Sequence, residues 1–190
     1  MIRLLPQRLI FPAIVLSSFI LLIASNSIAA LNKVQINYRN KPQFNSSPAN
    51  LVNNYLSENF PQSIQKWREE IETSAAENNL DPNLIAAVML QESGGQPSVI
   101  SSSGAVGLMQ IMPRDGLASK FMCNETPCFV NRPTIQELLD PIFNINYGAR
   151  MLSGLSINLG SMRNALKSYG PMDVGFYYAD IVLSIYFQNI

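Results

Sequence analysis

The chain is 190 residues long, enough for one domain with a tail, and its thirteen basic side chains balance thirteen acidic ones. Its complete lack of histidine excludes Ser-His-Asp and Cys-His catalysis and the usual His-containing zinc sites, and two cysteines are too few for a structural zinc. No Lys/Arg run or elevated isoelectric point marks a nucleic-acid binder, so nucleic acid is not an expected partner.

Residues Met1–Arg8 carry two arginines and no acid, and Leu9–Ala24 is then sixteen residues without a charge. Small residues follow, with Ser27-Ile28-Ala29 resembling a small-x-small cleavage site. This order predicts a secretory signal over residues 1–30, or an N-terminal anchor if it stays uncleaved. In either case the remainder is expected outside the cytoplasm, with membrane association through the uncleaved segment. Residues 31–60, rich in Asn, Ser and Pro, read as a flexible linker or arm. The folded domain is expected over 61–190.

Pro61–Asn79 has Ile64, Trp67 and Ile71 at helical spacing, with Glu69, Glu70 and Glu72 toward solvent. Asp81-Pro82 is a cap followed by proline at the first helical position, and it opens a helix to about Ser93. That helix is apolar almost all round, from Leu84 to Leu90, which predicts burial. Gly94-Gly95 ends it. Gln96–Ser103 is polar and irregular, and Gly107–Met112 could form an apolar helical turn before Pro113. Cys123 and Cys128, five apart, predict a disulfide closing a small loop in an exported protein. Pro133–Leu139 is a short helix, Asp140-Pro141 starts a longer one to Asn158, Ser161 caps another to Tyr169, and Asp173 can cap a last helix carrying Val174, Tyr178, Ile181, Val182, Ile185 and Tyr186. The fold class is therefore mainly α, with six or seven helices and at most a minor strand element.

Glu92 is a carboxylate at the C-terminal end of the most apolar helix. Burial and the negative end of the helix dipole both disfavour its charged form and raise its pKa. That is the state a general acid in glycoside cleavage requires. A solvated residue at a helix end is the alternative from position alone.

Downstream of Glu92-Ser93 come Pro97, Ser101, Gly104-Ala105, Gly107-Leu108-Met109-Gln110 and Met112-Pro113. This ordered series resembles the soluble lytic transglycosylase family, relatives of goose-type lysozymes, whose first motif is Glu-Ser and whose second is Gly-Leu-Met-Gln. Asp140-Pro141, Asn144-Ile145 and Gly148-Ala149 resemble a later family segment, although here Asn144 and Gly148 read as packing and hydrogen-bonding residues. The family's Ala-Tyr-Asn motif is matched only by Ser168-Tyr169-Gly170, with Gly170 in place of asparagine.

The resemblance implies a lysozyme-like helical domain with a substrate cleft, peptidoglycan glycan strands as partner, and no metal or organic cofactor. It implies Glu92 as single acid/base, with Ser101, Met109, Gln110 and Tyr169 lining the sugar sites and Tyr169 beside the catalytic carboxylate. It further implies cleavage of the bond between N-acetylmuramic acid and N-acetylglucosamine with formation of a 1,6-anhydro end. The second carboxylate a hydrolase usually needs has only Asp115 and Asp173 as nearby candidates, both readable as helix-end residues. A goose-type hydrolase of the same bond and a non-catalytic wall-binding module are the alternatives. The protein is expected to act as a monomer on the cell-wall side of the membrane.

Overall fold

The computed structural model describes residues 55–172 and 174–190. The segment read as a signal or anchor, most of the arm and Asp173 lie outside the described residues.

Seven α-helices are described: α1 Gln62–Gln65, α2 Arg68–Asn78, α3 Pro82–Ser93, α4 Ile135–Leu138, α5 Pro141–Leu159, α6 Met162–Tyr169 and α7 Tyr177–Asn189. The strand content among the described residues is a two-residue antiparallel pair, β1 Met122–Cys123 with β2 Thr126–Pro127, inside the Cys123–Cys128 disulfide. None of these helices is long and apolar enough to cross a membrane.

Helix starts follow the caps the sequence carries. Asp81 accepts from Asn83 N at 2.8 Å, Asp140 from Phe143 N at 3.0 Å and Ser161 from Asn164 N at 3.2 Å, so each cap satisfies a backbone donor the helix cannot. Thr134 and Glu137 form a reciprocal capping box on α4.

Helix α3 is the centre of the core. Ile85, Ala86, Ala87, Val88 and Met89 are fully buried, with α2 on one side and α7 on another. Each large apolar side chain withdrawn there contributes roughly 1.5–3 kcal/mol. Helix α5 packs on α2, α4 and α6 through Ile145, Gly148, Ala149 and Leu152. The antiparallel pair α3 and α7 is fastened near both ends by the same chemistry. Tyr186 Oη donates to Asp81 Oδ2 at 2.7 Å, and Tyr178 Oη donates to Glu92 Oε1 at 2.5 Å.

Four expectations need correction. The arm does not run to residue 60: Leu56 and Phe60 are buried in the core, Ser57 N donates to Asn83 Oδ1 at 2.8 Å, and Arg68 donates to Leu56 O at 2.6 Å. The first helical stretch breaks at Lys66-Trp67, where Trp67 leaves helical geometry (φ −107°, ψ 18°) and its indole N–H donates to Gly95 O at 3.0 Å. The apolar segment Gly107–Met112 is no helix, because Gly107 (φ 79°) and Gln110 (φ 46°) both sit in the left-handed region. The last helix begins only at Tyr177, without a side-chain cap, because Gly175 at φ 60° cannot belong to a right-handed turn.

Candidate active site

Glu92 lies in the last turn of α3, which Gly94 terminates in left-handed conformation with its N–H donating to Leu90 O at 3.2 Å. The carboxylate is partly buried, and burial raises its pKa to about 7 against the lowering effect of the Tyr178 hydrogen bond. Burial of Tyr178, with the nearby Glu92 charge, pushes the phenol well above its ordinary value and keeps it a donor. The acid is thus half protonated near neutral pH and held by one phenol at a defined oxygen.

Ser93, the next residue, faces inward. Its Oγ donates to Leu108 O at 2.8 Å and accepts from Gly95 N at 3.2 Å, tying the end of α3 to the Gly-Leu-Met-Gln segment. That segment is a turn closed by an antiparallel bridge in which Val106 N donates to Ile111 O at 2.9 Å and Ile111 N to Val106 O at 3.0 Å. Gly107 at φ 79° is required twice over: its conformation suits glycine, and a Cβ there would stand 2.7 Å from Asn144 Cγ. Asn144, fully buried on α5, spends its whole amide on this turn and its surroundings. It accepts from Met109 N at 2.8 Å and donates to Val106 O and Leu138 O at 2.9 Å each. Its reading as a hydrogen-bonding helix residue holds.

The residues expected to line the sugar sites divide in two. Ser101 is partly buried and closes the lead-in turn by accepting from Ala105 N at 2.9 Å. Gln110 is partly buried and its amide nitrogen donates inward, to Val99 O at 3.1 Å and Gly107 O at 2.9 Å. Met109 is not a cleft wall. Its side chain is 0% exposed and belongs to the core, so what it brings to the site is backbone: its N–H goes to Asn144 and its carbonyl accepts from Tyr169 Oη at 2.8 Å.

Tyr169 does not bond the carboxylate either. Its hydroxyl is engaged with Met109 O beside Gly148, where a Cβ would lie 3.1 Å from that hydroxyl. Burial raises its pKa first, and the Glu92 charge raises it further, so it is an electrostatic neighbour of the acid rather than its partner. The partner is Tyr178, whose residue the sequence offered only as part of an apolar helical face. The signal was there in principle, since a buried phenol needs an acceptor. Nothing in the spacing said which one.

Asp115 is accounted for by helix geometry, accepting from Ile135 N at 2.9 Å. Among the described residues no group of three or more His, Cys, Asp or Glu is placed to hold a metal ion. Two surface hollows, of about 410 and 560 Å³, are lined by Gln65–Thr73 residues and by Gln136–Phe143 residues respectively, and neither includes Glu92. The site is therefore defined by Glu92 and the bonds around it.

A family model described as the transglycosylase SLT domain matches residues 69–175, a span holding Glu92, the turn and Tyr169. The chain is 34% identical over 124 residues to membrane-bound lytic murein transglycosylase E of Buchnera aphidicola, an alignment covering 64% of this chain and 55% of that protein. It is 39% identical over 88 residues to endo-type membrane-bound lytic murein transglycosylase A of Klebsiella pneumoniae, covering 46% of this chain and 42% of that one. A transglycosylase of Enterobacteria phage PRD1 is 34% identical over 104 residues, 55% of this chain and 34% of its own length. The chain thus spans about half the length of the first two relatives. Among solved structures, an inactive glutamate-to-glutamine variant of lytic transglycosylase Slt from Pseudomonas aeruginosa superposes with a TM-score of 0.50 at 23% identity, covering 67% of this chain and 24% of that one. That likeness is one of fold, the lysozyme-like helical arrangement.

Proposed function

This chain belongs to the transglycosylase SLT domain family, and on that premise we propose that it is a lytic transglycosylase of peptidoglycan with Glu92 as its single acid/base. The observation that carries the reading is a partly buried carboxyl at the end of α3, poised at a pKa of about 7 and oriented by Tyr178. A group with that pKa is present in useful amounts as acid and as base at neutral pH, which is what one residue working in both directions needs.

In the first step Glu92 delivers its proton to the glycosidic oxygen between N-acetylmuramic acid and N-acetylglucosamine. The bond from that oxygen to C1 breaks, and the N-acetyl carbonyl of the muramic acid stabilises the electron-poor carbon. In the second, the Glu92 carboxylate takes the proton of the C6 hydroxyl as that oxygen bonds C1. The products are a free sugar hydroxyl and a 1,6-anhydro ring, the proton is returned to Glu92, and no water is consumed. Ser101 and Gln110 are the residues assigned to the sugar sites, with the Gln110 amide oxygen and the Ser101 hydroxyl as the groups offered to an acetamido or hydroxyl substituent, while the bond from Tyr169 to the Met109 carbonyl fixes the turn that carries Gln110. The substrate sets the place of work, on the cell-wall side of the membrane.

Two names among the relatives, lytic murein transglycosylases of Buchnera and Klebsiella, support the substrate class. The test is mass spectrometry of fragments released from purified peptidoglycan. Anhydro ends, lighter by one water than reducing ends, are expected from the wild type and none from Glu92→Gln. Reducing ends would assign a hydrolase instead, and binding without release would assign a wall-binding module.

A further inference from the structure

Gly170 stands where the family resemblance calls for asparagine, and its backbone gives no reason for a glycine. It caps α6 in an extended conformation (φ −71°, ψ −174°) with its N–H donating to Leu166 O at 3.0 Å, geometry open to any residue. Space supplies the reason. A Cβ at 170 would fall inside contact distance of Cγ and Cδ1 of Tyr178 and 2.9 Å from its Cβ. These are the root atoms of the ring, fixed to α7, and not the far end of a flexible side chain. Tyr178 is 6% exposed, and α7 is packed on both α3 and α6.

We propose that Gly170 is a positioning residue for the acid: the absence of a side chain there is the seat of the Tyr178 ring, and that seat sets the reach of the phenol to Glu92. The inference rests on Glu92 being the acid/base. Cγ and Cδ1 of the ring would stand closest to that Cβ, so regaining an ordinary carbon–carbon separation of ~3.5–4.0 Å moves them by more than about 1 Å. A phenol bond of 2.5 Å lengthened by that much is no longer a hydrogen bond. The departure from the family pattern is then not a lost sugar contact alone. It also leaves room for the Tyr178 ring whose phenol reaches the carboxylate.

The titratable groups facing Glu92 are Tyr178 from α7 and Tyr169 from α6, with Arg132 acting on Tyr169 from the segment after the disulfide hairpin. Both phenols are held neutral by burial and by the Glu92 charge, so the Tyr178 donor is the group whose loss moves the Glu92 titration, and it moves it upward.

The experiment compares wild type, Gly170→Ala, Tyr178→Phe and the double variant. The Glu92 side-chain carboxyl is titrated by carbon-13 NMR in the resting protein, assigned with Glu92→Gln, and kcat and KM on purified peptidoglycan are followed across pH. Gly170→Ala is expected to raise the Glu92 midpoint in the same sense as Tyr178→Phe and to lower kcat by about tenfold with KM nearly unmoved. The double variant is expected to match Tyr178→Phe within about twofold, since one bond cannot be lost twice. An unmoved midpoint in folded Gly170→Ala, or effects that multiply in full in the double variant, overturns the proposal. Should Gly170→Ala fail to fold, the pair Tyr178→Ala and Gly170→Ala/Tyr178→Ala decides. Equal melting temperatures support the seat, and a further loss from alanine at 170 overturns it. The NMR titration needs no turnover. Coupled midpoints in a wild type that releases no fragments would sink the proposed function and leave only the coupling of Gly170, Tyr178 and Glu92 standing, and an active wild type with an indifferent Gly170→Ala would do the reverse.

Discussion

Ser93 Oγ donates to the carbonyl of Leu108 at 2.8 Å, joining the last residue of α3, next to Glu92 in the chain, to the Gly-Leu-Met-Gln turn. The neighbouring acid is therefore placed from two directions, by Tyr178 on its carboxylate and by Ser93 on its backbone. Ser93→Ala leaves Leu108 O and Gly95 N without this partner in a buried setting. The expected cost is about 1–3 kcal/mol of stability. Turnover should fall further than the melting temperature alone explains, because the turn is free to shift against Glu92. Denaturant unfolding set beside kcat at a temperature where the variant is fully folded checks this. A variant with the stability loss but wild-type kcat would show that Ser93 serves the fold alone.

Asn144 carries more. One fully buried amide satisfies Met109 N, Val106 O and Leu138 O, and these three groups belong to two different segments. Asn144→Leu keeps the branched shape and removes all three bonds, stranding buried backbone atoms, and the expected loss is on the order of 4 kcal/mol or more. Chemical denaturation measures it. A loss below about 1 kcal/mol would mean that water takes over these bonds.

The architecture was largely legible because its signals are local. Asp81-Pro82, Asp140-Pro141 and Ser161 each announce a helix start, and the all-apolar run from Leu84 announces burial. What escaped was set by pairing across the fold. Tyr178 lies 86 residues from Glu92, and its place on an apolar stripe is the same whether its hydroxyl meets a carboxylate or a carbonyl. Met109 was misread for a related reason: position in a motif does not reveal whether a side chain faces the groove or the core, and only its backbone faces the site's partners. The helical reading of 107–112 failed because an apolar run has no period of its own, while the conformations of Gly107 and Gln110 decide against a helix.

The disulfide hairpin is separable from the site. Cys123–Cys128 closes a loop with a sequence separation of 5, and β1 and β2 within it are exposed. A loop this short constrains little of the unfolded chain, on the order of 2 kcal/mol by loop entropy. Cys123→Ser/Cys128→Ser is expected to lower the melting temperature by a few degrees and to leave kcat within about twofold. Calorimetry and turnover of the oxidised, reduced and substituted proteins test it, and a tenfold fall in kcat would place the hairpin on the substrate path.

Glu92 also makes the fold sensitive to pH, in a direction opposite to most carboxylates. Its folded pKa, about 7, lies above the ordinary value of 4.5, so the folded state binds its proton more tightly than the unfolded state does. The resulting stability is fully present below pH 4.5 and is lost as pH rises through about 7, where the buried group must ionise. The linked free energy is on the order of 3 kcal/mol. Glu92→Gln cannot ionise and keeps the packing, so it is expected to gain on the wild type between these limits: near parity at pH 4.5, a higher melting temperature at pH 8. On the proposed function the same substitution is expected to end catalysis, so one change would separate stability from activity, as expected where a fold holds a charge it would sooner be without. The measurement is a pair of melting curves across pH. A wild type and Glu92→Gln that stay parallel from pH 4.5 to 8 would mean that Glu92 ionises as it does in water, and the acid assigned to it would then lack its physical basis.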